Sequence, residues 1–94
     1  MERKKTTADE IETAIGSTNK WSLDGDSLLK RFEFKSFAES LSFVNKVGEI
    51  AEAADHHPDI TFGWGYADIR TTTHDRGGVT GVDFALVEKI DGLS

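Results

Sequence analysis

From Phe37 to Ala54 apolar residues recur at steps of three and four (Phe37, Leu41, Val44, Val47 or Gly48, Ala51, Ala54), which is the spacing of one face of an α-helix. Ser36 and Glu39 stand where a capping box opens such a helix. Pro58, the only proline in the chain, closes it near Asp55-His56-His57, because proline pushes the residue before it out of the α region. The pattern predicts an amphipathic helix of about five turns. Its apolar face needs a surface to lie on, and a chain of 94 residues must supply that surface from its flanks.

Both flanks read as strand pairs. Trp21-Ser22-Leu23 and the run 27–35 flank Asp24-Gly25, whose glycine tolerates positive φ, and predict a hairpin with Leu28, Phe32 and Phe34 on one face. From Thr61 to Thr73 the chain is β-branched and aromatic. Phe62 and Trp64 are expected on one face, a turn at Gly65-Tyr66, and Ala67, Ile69, Thr71 and Thr73 in alternation. A short helix at each end completes the order. Thr7-Ala8-Asp9-Glu10 fits a capping box ahead of Ile11, Ile15 and a stop at Gly16. Thr80-Gly81-Val82-Asp83 caps a last helix carrying Phe84, Leu86, Val87 and Ile90, with Val79 placed to staple onto Phe84.

The order α-β-β-α-β-β-α predicts an α+β fold of two layers: a four-stranded antiparallel sheet with three helices packed on one face. Residues 1–6 are polar and unpatterned, a flexible tail, and residues 7–94 make a single domain.

Eleven Lys and Arg against 17 Asp and Glu give a net charge of −6, a field that repels phosphates, so no direct nucleic acid binding is expected. The absence of cysteine excludes a disulfide, a thiolate nucleophile, Cys-ligated zinc and an iron–sulfur cluster, and agrees with a reducing compartment. No apolar run approaches the ~18 residues of a membrane span, and the charged start leads into no signal-like segment. A cytoplasmic protein is expected.

All three histidines stand at element boundaries: His56 and His57 where the long helix stops, His74 where the last strand stops. Imidazole titrates near neutral pH and is the usual general acid or base, and boundary residues sit where loops build sites. Three histidines can also hold zinc, while the plain alternative is a pair favoured by the helix dipole and a third in a surface turn. Asp83 either orients an imidazole or simply serves as the N3 acid of the Thr80 capping box. Glu52 and Asp55 read as a solvated helix face beside the histidines. Trp21 and Trp64 are either core or a stacking wall for a flat ligand. Gly77-Gly78 lacks the lysine and spacing of a phosphate loop, and no Ser/His/Asp order stands out.

The stretch from Ala51 to Ile60, with His56-His57-Pro58 at its centre, resembles the pterin-4a-carbinolamine dehydratases. The family pattern continues with an aromatic, a further histidine at a strand end and an aspartate in the next helix; here these are Trp64, Thr73-His74-Asp75 and Asp83. Trp21, Phe32-Glu33-Phe34, Ser36-Phe37 and the segment 43–47 also look like the family, so the resemblance covers about residues 8–92. Thr71 departs from it, standing where the family tends to carry an aliphatic residue. So do Gly63 and Gly65, which bracket Trp64. These departures bear on the sheet edge and oligomer contacts more than on the site.

The resemblance implies the same two-layer fold. It also implies a hydro-lyase that removes water from 4a-hydroxytetrahydropterin to give quinonoid dihydropterin, returning the cofactor of aromatic amino acid hydroxylases. By that pattern His56 and His74 transfer protons with Asp83 in support, and His57, Pro58, Trp64 and Thr73 bind the pterin. Neither metal nor cofactor is implied. A homodimer or homotetramer is expected, because the sheet has free edges and Phe43 and Ile50 lie off the main apolar stripe. Two other roles stay open on the same resemblance: a non-catalytic module that helps a transcription regulator dimerise, and work in another pterin or molybdopterin pathway.

Overall fold

The computed structural model describes residues 7–93 other than 17 and 19, so the tail expected at 1–6 lies outside the described residues. The elements are α1 (Ala8–Ile15), β1 (Ser22–Asp24), β2 (Ser27–Glu33), α2 (Phe37–Ala54), β3 (Asp59–Gly63), β4 (Tyr66–Thr71) and α3 (Gly81–Asp91), with a 3-10 turn at His74–Arg76. The strands form one antiparallel sheet in the order β1-β2-β4-β3. The α+β order expected from the sequence is therefore the order found.

Period-two alternation puts Leu28 and Phe32 of β2 beside Ala67, Ile69 and Thr71 of β4 on the face that carries the helices. Val47 of α2 and Leu86, Val87 and Ile90 of α3 close over them, and Ile11 of α1 and Trp21 complete the core. Lys30, also on this face, is buried but paired: its Nζ lies 3.4 Å from Asp91, which also accepts the Trp21 indole N–H at 2.8 Å.

The long helix buries only part of the stripe its spacing suggests: Val47 and Ala51 are buried and Val44 and Ala54 pack on the core as expected, but Phe37 and Leu41 do not turn inward. Ser40, Phe43, Val47 and Ala51 face the core, while Phe37 and Leu41 are 46% and 40% exposed. Phe43, expected off the stripe, stacks at 4.5 Å on Phe32 and 5.1 Å on Phe34. Ser40 tolerates burial because its hydroxyl donates to the Ser36 carbonyl at 3.1 Å, leaving no unmet polar group. The Ser36 cap is also only half a box: Ser36 receives the Glu39 N–H, but the Glu39 carboxylate accepts from Lys35 instead.

Two further boundaries shift. The second turn is Trp64-Gly65, not Gly65-Tyr66, because Gly63 pairs with Tyr66 and Gly65 takes φ +83°. Trp64 is thus a turn residue, 71% exposed, and shares no strand face with Phe62. The long helix ends at Ala54, three residues before His57, through Asp55 in the left-handed region. The Asp55 and His56 N–H groups then satisfy the Glu52 and Ala51 carbonyls, the Schellman closure. Chain reversal at Asp55, more than Pro58, stops the helix.

Candidate active site

Reversal at Asp55 turns His56 inward, where it is 6% exposed, and leaves His57 outward. On the facing segment β4 stops at Thr71, and Thr73 forms an isolated bridge to Gly78, so the five residues from His74 to Gly78 loop back tightly through Gly77 at φ +72°. The Thr72 hydroxyl donates to the Asp26 carbonyl at 2.6 Å, tying this loop to the β1–β2 turn. His74 is thereby presented on a short, pinned loop rather than on a free strand end.

Asp55, His56, His57, Thr72, Thr73, His74 and Asp75 line a single cavity of about 340 Å³. The three histidines, 18 residues apart at the widest in sequence, meet there. Behind His56 lies Asp83, fully buried on the first turn of α3. Its Oδ1 sits 2.6 Å from His56 Nε2 and accepts the Thr71 hydroxyl at 2.6 Å. Its Oδ2 accepts the Thr73 hydroxyl at 2.7 Å and the Thr80 N–H at 2.9 Å. The sequence left Asp83 either a capping acid or a histidine partner; with one oxygen for each task it is both.

Four donors fill the four acceptor positions of an ionised carboxylate, so His56 meets Asp83 as an Nε2–H donor. Among the described residues no buried side-chain nitrogen or oxygen lacks a partner. His56 Nδ1, which bonds to none of them, is therefore not sealed from solvent, and His56 is a lining residue of the cavity. The helix N-terminus adds a favourable field for the Asp83 charge.

His57 places Nε2 3.1 Å from Glu52 Oε1 in an exposed pair. His57 and Pro58 also line a neighbouring, mostly apolar groove of about 570 Å³ with Ile60 and Gly48. Trp64 is not among the lining residues of either space. It closes the far end of β3, and at roughly 3.3 Å per residue lies about 16 Å along the strand from Asp59. Among the described residues no three His, Cys, Asp or Glu side chains form a group able to share a metal ion. No helix there is long and apolar enough to cross a membrane. Reading by residue type missed Thr71: it appeared as a strand residue and a departure at the sheet, whereas its hydroxyl reaches the carboxylate behind His56.

The sequence profile of the family described as Pterin 4 alpha carbinolamine dehydratase matches residues 4–93. The chain belongs to the pterin-4a-carbinolamine dehydratase family. Relatives carrying the name "Putative pterin-4-alpha-carbinolamine dehydratase" include one from Halorhodospira halophila, 46% identical over 86 residues, covering 89% of this chain and 79% of that protein. Another, from Natronomonas pharaonis, is 41% identical over 90 residues and 96% of each chain. Among solved structures of the family's fold, a transcriptional coactivator/pterin dehydratase from Brucella melitensis superposes with a TM-score of 0.89 at 27% identity, covering 95% of this chain and 97% of that one. A pterin dehydratase-like protein identified as a RuBisCO assembly factor in the alpha-carboxysome matches with a TM-score of 0.64 at 26% identity, covering 81% and 88%.

Proposed function

We propose that the protein is a 4a-hydroxytetrahydropterin dehydratase working by histidine acid/base catalysis in recycling of the pterin cofactor of aromatic amino acid hydroxylases. The observation that carries this reading is the cavity in which His56, anchored through Nε2 on a buried carboxylate, stands with His57 and His74 in a chain of the dehydratase family. One imidazole gives a proton to the 4a-hydroxyl as the C4a–O bond breaks and its electron pair leaves with oxygen. The other takes a proton from a ring nitrogen, whose electrons close the new C=N bond. The products are quinonoid dihydropterin and water. Both protons pass through imidazoles, and the balance calls for no redox partner.

In this reading His56 and His74 exchange the protons, Asp83 holds His56, and His57, Thr73 and Pro58 bind the ring, with Trp64 a further substrate contact carried over from the family pattern. The compartment that fits a thiol-free chain is the cytoplasm. Direct assay of 4a-carbinolamine dehydration by purified protein, before and after exhaustive chelation, is the test. Turnover that survives chelation is expected; none in either sample sinks the reading, and activity lost on stripping and restored by zinc sinks its metal-free mechanism.

A second reading, a protein-binding module, is favoured by the exposed Phe37 and Leu41 on α2. A stable protein partner in a chain that turns over no carbinolamine is the result that selects it.

A further inference from the structure

The Thr71 hydroxyl has one proton to give, and among the described residues its partner is Asp83 Oδ1, the atom that also receives His56 Nε2–H. On the other oxygen the order of donors is fixed as well. Thr80 Oγ1 receives the Val82 N–H, Thr80 lies 2.9 Å from Thr73, and Thr73 spends its proton on Oδ2. Thr80 therefore donates to Thr73, and the Thr71 and Thr73 hydroxyl protons both go to the carboxylate.

We propose that Thr71 is a positioning residue for His56, sharing Oδ1 so as to limit how strongly Asp83 draws on the imidazole proton, and so setting how readily Nδ1 exchanges protons with a bound pterin. The proposal rests on the dehydratase reading above. Asp83 is 0% exposed and Thr71 1%, so the shared oxygen is closed to bulk solvent. In such a site the charge of a carboxylate is divided among its donors, and a carboxylate with one fewer binds the rest more tightly. Thr71 pairs across the ladder with Leu28, so a β-branched apolar side chain fits the same strand position. The hydroxyl of Thr71 thus stands beside the histidine's partner, where it tunes the site without building it.

The test is Thr71→Val, with Thr71→Ser as the rescue and Thr71→Ala as the apolar variant should Thr71→Val not fold. In ¹⁵N-labelled protein the buried His56 Nε2–H proton is expected at low field, moving further downfield in the apolar variant and returning in Thr71→Ser. Turnover is expected to fall about tenfold in kcat with KM held within about twofold, since the change touches a proton transfer and not the ring contacts. A purely structural hydroxyl lowers the melting temperature but moves neither the resonance nor kcat, and that result overturns the proposal. A resonance that moves with kcat unchanged overturns it too. His56→Ala, assayed alongside, separates the ideas: full activity there sinks the assignment of His56, whereas lost activity there beside an unaltered Thr71→Val sinks only the role of Thr71.

Discussion

His56 Nε2 and Asp83 Oδ1 lie 2.6 Å apart across 27 residues of chain, joining the end of the long helix to the start of the last one. This contact crosses the layer that the β4 strand end occupies, and Thr71 and Thr73 bond to the same carboxylate on the way. Any change at Asp83 consequently acts on three segments at once. The site is part of the packing between α2 and α3 and is not a surface feature added to a finished fold.

Asp83→Ala strands four buried donors, and each buried donor left unsatisfied costs about 1–3 kcal/mol. That is a large share of the stability of a domain this size, so loss of cooperative melting is expected. Asp83→Asn keeps the volume but turns an NH₂ toward one pair of donors. It is expected to stay folded while kcat drops by roughly 10²-fold or more, because a misoriented or wrongly protonated imidazole loses most of its value as an acid or base. Urea melts and turnover of the two variants, compared side by side, check this; a fully active Asp83→Asn removes Asp83 from the mechanism.

The histidines divide by what holds them. His56→Ala or His74→Ala is expected to lower kcat by roughly 10²–10⁴-fold. His57, exposed and paired with Glu52, is expected on loss to raise KM more than it lowers kcat, the mark of binding equal in ground and transition states. The His56/His74 double variant is expected to cost less than the product of the single losses, since groups acting together are not additive. Near-wild-type dehydration by all three single variants contradicts the catalytic assignment.

Much of this was legible from residue spacing. The two capping boxes at Thr7 and Thr80 close as written, since a cap is a contact between residues three apart and needs no tertiary information. The long helix was legible in extent but not in rotation. Apolar residues run on two adjoining stripes, and only the position of Phe32 and Phe34 on the sheet decides that Phe43 turns inward. Trp64 illustrates the same limit at one residue: a strand and a turn differ there by the sign of φ at Gly65, which alternation does not encode. The meeting of His56 with Asp83 depends on the left-handed Asp55, a local reversal that no motif announces.

The stripe left outside has its own consequence. Phe37 packs on Phe62 at 5.7 Å, Leu41 lies one turn along, and β3 beside them is an edge strand with one side unpaired in the sheet. A homodimer or homotetramer is expected at micromolar concentration by light scattering. Leu41→Glu is expected to shift the mass toward the monomer, because a charge cannot be buried unpaired at an apolar contact. A monomeric wild-type chain with full activity counts against association through this face.

The open face of the sheet gives a prediction about acid. Arg31 and Asp68 stand opposite each other in the β2–β4 register, joined by two parallel bonds of 2.7 and 2.8 Å, with the guanidinium 4.6 Å from the Tyr66 ring centre. The Arg31 hydrogen bond is the main cause that holds the Asp68 carboxyl below its ordinary value of 3.8; burial opposes it, and the Arg31 charge adds a smaller lowering. A folded value lower than the unfolded one means that the pair stabilises the protein above the unfolded value, and that this share is lost as pH falls through the folded one. The pair is exposed, so its contribution is small and weakens with salt. Urea midpoints of the wild type and Asp68→Asn are therefore expected to differ by a constant amount above about pH 5 and to converge toward about pH 2, with a narrower gap throughout in high salt. A gap that stays the same at every pH assigns the difference to packing of the Asn side chain and removes the ion pair from the account of acid stability.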